Sequence, residues 1–549
     1  MSALLPSSGG DGTLGYVLEG IEPGDRSGFS VAAAGDVNGD GIDDFLIGAP
    51  RASGLRHAAG EAFLVFGAVE SSGPVLQLAD LDGRNGVRFL GGTQYSADEA
   101  GYAVSGVGDV NGDGLDDFAI GSPWAYGSYP DRTPVGYAHV IFGRDGAYPA
   151  DERLNYPTLA QARVRGWSAS GQLGADLAAA GDFNGDGFQD VLVGHKFGDE
   201  YPDVYSGRAY VVFGGPGLPR DFHVHDLPVS VGVTIRGDEG DRAGTTVRWG
   251  GDFNGDGMDE IIVAGDTRIW PTKRNARAYV IYGRGSAHPT AIELADLGFG
   301  AGFRLDNASS QGAAPIAAAG DLNGDGFDDL VLGQPFVDVD GVKGAGQVLV
   351  LFGRPWALPS FFDLDVRLDV LGGFRVIGSS EDEWLGHLVS PAGDVNGDGV
   401  DDLLIANAVR GVESRSVYVL FGARDGFPDA IRSDEIAARF GVAITPEAGI
   451  RPSTLAGVGD ANGDGVDDIA IGAHWDLDAT GRTFLLFGRH AAAECPADLD
   501  GDGELTIFDF LEFQNLFDAG DPRADFDGDG SLTIFDFLAF QNAFDAGCP

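Results

Sequence analysis

A nine-residue acidic segment, Asp36-Val37-Asn38-Gly39-Asp40-Gly41-Ile42-Asp43-Asp44, recurs seven times along the chain, and nothing else in the sequence constrains the fold as strongly. Its first Asp reappears at Asp109, Asp182, Asp252, Asp321, Asp394 and Asp460, at spacings of 73, 73, 70, 69, 73 and 66 residues. A sustained period means one supersecondary unit per repeat, each burying its apolar faces against its neighbours. Units of this length exceed the short helical repeats and the ~40–50 residues of the commoner propeller blades. They still hold one four-stranded blade each, with long connections.

The strands are readable inside each unit. Ser30 to Ala34 precede the loop, Phe45-Leu46-Ile47-Gly48 follow it, and Ala62-Phe63-Leu64-Val65-Phe66 and Val87-Arg88-Phe89-Leu90 complete the set. Short runs of Val, Ile, Phe and Tyr bounded by Gly and Asp are strand signals. The seventh unit stops at Phe484-Leu485-Leu486-Phe487-Gly488 without a fourth strand, and Tyr16-Val17-Leu18-Glu19 near the N-terminus lacks a unit of its own. Pairing the two closes a ring and removes a pair of exposed edges. The expected fold is all-β: a seven-bladed β-propeller over residues 14–489, closed by the N-terminal strand.

Positions 1, 3, 5 and 9 of each loop carry oxygen-bearing side chains, and position 6 is Gly. Hard oxygen ligands two residues apart in a tight turn wrap a cation, and the position-7 carbonyl adds a further donor. The expected ligands are Asp36, Asn38, Asp40, Ile42 and Asp44 in the first loop and Asp109, Asn111, Asp113, Leu115 and Asp117 in the second. The third and fourth loops offer Asp182, Asn184, Asp186, Phe188 and Asp190, then Asp252, Asn254, Asp256, Met258 and Glu260. The fifth offers Asp321, Asn323, Asp325, Phe327 and Asp329, and the sixth Asp394, Asn396, Asp398, Val400 and Asp402. Asp460, Asn462, Asp464, Val466 and Asp468 complete the set. One such turn could hold its shape without metal. Seven in register, each packing several carboxylates together, argue for a cation, and Ca2+ suits this flexible oxygen set better than Mg2+. The position-7 side chain is expected to point into its blade. Two loops depart from the pattern: Gln189 replaces Asp at position 8, where little effect is expected, and Glu260 replaces Asp at position 9.

Three motifs recur in fixed order: Gly28-Phe29, the acidic loop, and Gly48-Ala49-Pro50. Together they resemble the FG-GAP repeat of integrin α-subunit propellers and their bacterial relatives. The likeness weakens at Gly101-Tyr102, Gly194-His195 and Ala406-Asn407, which depart from it. The resemblance implies calcium loops on one propeller face, ligands on the other, and an extracellular binding or adhesion role.

The connections expected on that other face hold Trp124, Trp167, Trp270, Trp384 and Trp475, with Tyr126 and Tyr201 beside them and Tyr95, Tyr129 and Tyr205 nearby. Aromatic rings among acids and amides suit a glycan or a protein ligand; they equally suit packing of the long loops on one another. His195 and His474 fall in the same connections, where either could act as a general base, while His223 and His225 alternate along a strand-like run. No nucleophile elbow, phosphate loop or zinc signature occurs. A polysaccharide lyase displayed on the same scaffold survives by fold analogy alone, and a purely structural surface protein is the third alternative.

Residues 495–549 form a second, small α-helical domain with two further loops. Asp498, Asp500, Asp502, Glu504 and Asp509, and 27 residues later Asp525, Asp527, Asp529, Ser531 and Asp536, occupy EF-hand-type positions, with Asp at position 12 in place of Glu. Helix-like stretches follow at Phe508 to Phe517 and Phe535 to Phe544, and no entering helix precedes either loop. The paired loops resemble a type I dockerin, which implies tethering to a cohesin-like scaffold protein, with Ile507-Phe508 and Ile534-Phe535 at the reading positions. The density of Phe suggests a hydrophobic docking face.

Cys495 and Cys548 bracket this module and are expected to form a disulfide, although two free thiols stay open. A bridge and nine filled calcium sites both belong outside the cytosol. The start of the chain carries no signal-like segment, so the signal is expected to have been removed. A net charge of −49 argues against nucleic acid and anionic lipid, and no apolar run is long enough to insert in a membrane.

Overall fold

The computed structural model describes residues 12–549 except 54–57, 70–72, 93–96, 128–132, 156–157, 199–204, 267–275, 286–287, 308–314, 357, 364–371, 410–414, 448–449, 491–496, 498, 500–506, 520–523, 525, 527–532 and 547–549. Two compact units are present: Met1–Val395 with Gly399–Gly488, and Asn396–Asp398 with Arg489–Pro549.

The first unit is a seven-bladed β-propeller. Blade 1 runs outward from Ser30–Gly35 through Asp44–Ala49 and Glu61–Val65 to Gly86–Leu90, all antiparallel. The other blades repeat this order, with innermost strands Val104–Gly108, Leu173–Gly181, Thr246–Gly251, Ile316–Gly320, Leu388–Gly393 and Thr454–Gly459. Each innermost strand contacts the next, and the last returns to the first, so the ring is closed. Its closing blade takes Gly15–Glu19 as fourth strand, antiparallel to Arg482–Leu486 with Val17 opposite Phe484. The N-terminal strand expected from the sequence is therefore present.

Second strands are buried along their length, as in Asp44–Ala49, and third strands along most of theirs, as in Glu61–Val65. A blade packs both faces on neighbours, so these strands read as continuous apolar runs. The core is accordingly a set of inter-blade wedges. At the closing seam Leu18, Ala470 and Leu485 of blade 7 pack with Val31, Phe45 and Phe63 of blade 1. The innermost strands surround a central channel of about 710 Å3 lined mainly by Ala, Ser, Gly and Val.

Six blades carry a fifth strand that four-strand arithmetic misses. A three-residue segment from the third-to-fourth connection of one blade pairs in parallel with the fourth strand of the blade before it. Asp151–Arg153 of blade 2 lies on Gly86–Leu90, and Val75–Gln77 of blade 1 on Gly15–Glu19. Blades 1 to 6 are thereby each clasped to their predecessor by backbone hydrogen bonds.

In the second unit two helices, Ile507–Ala519 and Ile534–Ala546, enclose a phenylalanine core. Phe513 and Phe540 stack with centroids 4.4 Å apart, and Phe510, Phe517, Phe526, Phe537 and Phe544 pack around them. Phe513 and Phe540 are buried, and the other five are half-buried at the margin of this core. Among the described residues Leu511 and Leu538, at equivalent positions of the duplication, are the large apolar side chains exposed here.

Candidate metal centres and the opposite face

Each propeller loop folds round its own first carboxylate. Asp36 Oδ1 accepts the N–H groups of Gly39 (2.7 Å) and Asp40 (3.0 Å), and Oδ2 accepts that of Gly41 (2.9 Å). Asp40 Oδ1 accepts the Ile42 N–H at 3.0 Å. Gly39 and Gly41 have φ of 76° and 88°, a left-handed conformation that a Cβ penalises. The pattern repeats at Asp109, Asp252 and Asp460. The seven position-1 carboxylates thus nucleate seven copies of one turn.

Position 9 lies beneath the loop and is fully buried in all seven blades. Asp44 accepts N–H groups from Val37 (3.1 Å) and from Gly67 (3.0 Å), at the end of the third strand. The carboxylate therefore ties loop to blade. Burial pushes Asp44, Asp190, Asp329 and Asp468 up to about 8, and the neighbouring charges of positions 5 and 1 push the same way. In the fourth loop Glu260 reaches about 9, again chiefly by burial, and accepts the Asn254 amide at 2.8 Å. Among the described residues the buried oxygens Asp190 Oδ2 and Asp468 Oδ2 have no hydrogen-bond partner.

Among the described residues no three acidic or imidazole side chains meet as a cluster, so the side-chain oxygens of one loop do not by themselves form a closed cage. The donor set nevertheless fits a hard divalent cation. Orphaned buried oxygens, and carboxyls whose ionised form is opposed by like charges, are what a positive charge would satisfy.

Two loop positions behave otherwise than the sequence suggested. The position-7 side chains Leu115 and Phe188 lean over the preceding blade's loop, whereas Val400 and Val466 are buried, with Cγ1 against Gly422 and Gly488 of their own blades. A Cβ on Gly39 would meet Leu115 Cδ2 at 3.0 Å, and one on Gly112 would meet Phe188 Cε1 at 2.4 Å. Position 8 is no passive spacer. Asp116 Oδ2 accepts the Asp36 N–H at 3.0 Å while the Asp116 N–H donates to Asp36 O at 3.3 Å, a two-way clasp between adjacent blades. Asp259, Asp328, Asp401 and Asp467 do the same for Asp182, Asp252, Asp321 and Asp394 on the carboxylate side, and Asp43 closes the ring on Asp460 at 2.9 Å. The glycine before each loop makes room: a Cβ on Gly35, at φ 72°, would fall 2.2 Å from Asp116 Oδ2. Gln189 is the exception. It keeps the backbone half, its N–H donating to Asp109 O at 3.4 Å, but brings an amide where the others bring a carboxylate.

The opposite face has no such uniformity. Trp475 is 51 % exposed, with the Arg26 guanidinium 4.2 Å above its ring, and Tyr205 of another blade is also exposed. Trp124, Trp167, Trp384 and Tyr126 are half-buried. Trp384 packs on Phe336 (5.4 Å), and Trp167 lies between His195 and His225. Trp270, Tyr201, Tyr95 and Tyr129 lie outside the described residues. His195 is not in a loop: it ends the strand Asp190–His195, is fully buried, and burial pushes its imidazole down to about 3. It contacts Ser168 Oγ (3.2 Å) and Tyr210 OH (3.4 Å), so it is closed to a substrate. His474 is 9 % exposed and is held by Ser453 Oγ at 2.7 Å.

Of the tail ligands, Asp509 and Asp536 are described and fully buried; Asp509 Oδ1 accepts the Leu499 N–H at 2.8 Å. The remaining eight tail positions and both cysteines lie outside the described residues.

Repetition, ring closure and loop geometry together define the class, a seven-bladed β-propeller with an acidic loop in every blade. Residues 27–65, 100–141, 173–212 and 313–351 match the FG-GAP repeat family, one match each in blades 1, 2, 3 and 5. The chain is similar to integrin alpha-5 of Xenopus laevis, at 31% identity over 43% of this chain and 19% of the relative. It is also similar to integrin alpha pat-2 of Caenorhabditis elegans (30% identity, 41% of this chain, 17% of the relative). A shorter stretch resembles phosphatidylinositol-glycan-specific phospholipase D of Mus musculus, at 36% identity over 19% of this chain and 12% of that protein. The chain spans less than a fifth of the length of these curated relatives. No described helix is long and apolar enough to cross a membrane.

Proposed function

We propose that this protein is a secreted, calcium-loaded binding or adhesion module whose propeller holds an extracellular glycan or protein ligand on the face away from the acidic loops. One observation carries the reading: the seven position-9 carboxyls are buried under acidic loops, and burial and the charges of positions 5 and 1 oppose their ionisation, as at Asp44 and Asp329. Calcium would be held by positions 1, 3, 5 and 9 with the position-7 carbonyl, and would supply the positive charge these groups lack. The chain's own residues set the turn, bury the carboxylate and tie it to the third strand.

The tail is assigned as a dockerin-like tether, two further calcium ions joining Asp509 and Asp536 to the other loop acids and Cys495 bonding to Cys548. Its partner would be a cohesin-like scaffold protein. The integrin relatives support an extracellular setting and a binding role. Burial of His195 and His474 disfavours the lyase alternative.

Elemental analysis of purified protein should give close to nine calcium ions per chain, and about one or none would defeat the cation reading. A glycan array comparing wild type with Trp475→Ala tests the ligand face: saturable binding lost in the variant supports it. Unsaturated products from a polysaccharide panel would replace it with the enzyme.

A further inference from the structure

One seam breaks the small-residue lining of the central channel. At two successive register positions of the innermost strand, six blades carry Ala or Ser and then Ala, Gly or Pro. In blade 1 these are Ala32 and Ala33, opposite Leu46 and Phe45. Blade 4 instead carries Arg248 and Trp249, opposite Ile262 and Ile261, and both line the channel. A third exception stands beside them. Asp176 of blade 3, just before Leu177, lines the channel where blade 1 has Ser30.

All three side chains are held in place by the seam between blades 3 and 4. Asp176 Oδ2 accepts from Arg248 Nη1 at 2.7 Å and from the Val247 N–H at 2.9 Å, and Nη1 also donates to Val247 O at 2.6 Å. Trp249 Nε1 donates to Asp259 Oδ1 at 2.8 Å, while Asp259 Oδ2 accepts the Asp182 N–H across the same seam. The ion pair is not sealed in protein: the Arg248 side chain is 42 % exposed and that of Asp176 19 %. A charged pair and an indole of fixed position therefore border a cavity of about 710 Å3. Small-molecule pockets usually measure about 300–1,000 Å3.

We propose that the central channel binds an uncharged sugar, the Asp176–Arg248 pair holding adjacent hydroxyls and Trp249 packing on the C–H face of the ring. The chemistry of the three groups selects that class. A carboxylate only accepts hydrogen bonds and a guanidinium only donates them, whereas a hydroxyl does both, so neighbouring hydroxyls match the pair. The pair is balanced in charge, and a chain of net charge −49 repels an anion, which favours an uncharged ligand. Indole supplies apolar area at little cost in ordering, because its N–H is already pinned. The lining of the channel does not include Trp475, so this site and the outer face are tested apart.

Titration calorimetry of the full chain in calcium-containing buffer uses the methyl glycosides of glucose, galactose, mannose and N-acetylglucosamine, with lactose and cellobiose, each to ~10 mM. At least one should saturate. Arg248→Ala and Trp249→Ala should each weaken its binding at least ~10-fold, and Trp475→Ala should leave it unchanged. Ser390→Phe keeps the ion pair and obstructs the channel instead. Ser390 occupies the Arg248 position of blade 6, and blade 4 shows that this position accepts a large side chain. This variant should abolish binding with the melt unchanged. Failure of every sugar to saturate overturns the proposal. So does binding that survives Ser390→Phe, which places the sugar outside the channel. Saturation by acetate or sulfate with no sugar bound overturns it as well, since Arg248 then serves an anion.

Discussion

The two faces of the propeller join the same strands to opposite effect. On one face seven loops repeat a single turn, each folded round its first carboxylate and pinned by its ninth. On the other, connections of differing length carry Trp475 exposed under Arg26, Trp167 wedged between two histidines, and Trp384 packed on Phe336. The repeated face gains its regularity from carboxylates bonded to backbone N–H groups, which leave little choice of geometry. The variable face is held by side-chain packing, which tolerates substitution and can diversify for a ligand without disturbing the ring.

Removing divalent cations should separate the faces most sharply. Each filled site contributes about 2.7 kcal/mol at a hundredfold excess over its Kd, so chelation is expected to lower the melting temperature by at least ~10 °C. A calorimetric scan with and without chelator decides it; superimposable melts would leave the acidic face as turns that need no metal. The next largest effect is Asp329→Ala. It strands the buried N–H groups of Leu322 and Gly353 and should cost about 2–4 kcal/mol in denaturant unfolding, against under ~0.5 kcal/mol for Trp475→Ala. Comparable losses would abolish the contrast between a pinned and a packed face.

Much of this was legible in the sequence, for identifiable reasons. Period, loop chemistry and apolar runs gave blades, turns and the closing strand, because a strand buried on both sides and a turn nucleated by Asp leave local signals. The fifth strands left none: Asp221-Phe222-His223 is too short to pattern, and its pairing to Arg163–Arg165 is fixed by ring geometry. The same is true of position 8, whose partner lies one blade away, 73 to 80 residues along the chain and 417 at the closing seam. His195 read as a loop residue because Gly194-His195 replaces the usual end of the second strand, yet it remains in the ladder opposite Arg208. A signal existed there. Five residues of strand character before it, with Tyr210 and Trp167 as partners, mark a histidine placed for packing.

Acid should act chiefly through such buried imidazoles. His139 and His195 are both pushed down to about 3 by burial, below the ordinary ~6.5. Below pH 6.5 the unfolded chain takes up protons that the folded one refuses, so their contribution is complete above that value and is lost as pH falls toward 3. At pH 5 the loss is about 2 kcal/mol for each. His195→Gln should therefore flatten the stability profile between pH 6.5 and 5 by that amount in calcium-saturated buffer. An unchanged slope would show that the imidazole is protonated in the fold.

The smallest expected effect concerns the seam between blades 2 and 3, where the repeated face breaks its own rule. At six seams a position-8 carboxylate accepts the neighbour's position-1 N–H, and burial and nearby acids push that carboxyl up, as at Asp43 and Asp116. The hydrogen bond thus works against a cost of charging, and its net value should be about 1 kcal/mol, below the range usual for a charged acceptor. Gln189→Asp supplies the missing carboxylate behind Gly108, whose left-handed conformation already leaves the space. It should stabilise the propeller by about 1 kcal/mol in denaturant unfolding, and Asp43→Asn at the closing seam should cost at least as much. If both substitutions are silent, the blades are held together by their apolar wedges and parallel strands alone, and the uniformity of the acidic face serves its cations rather than its ring.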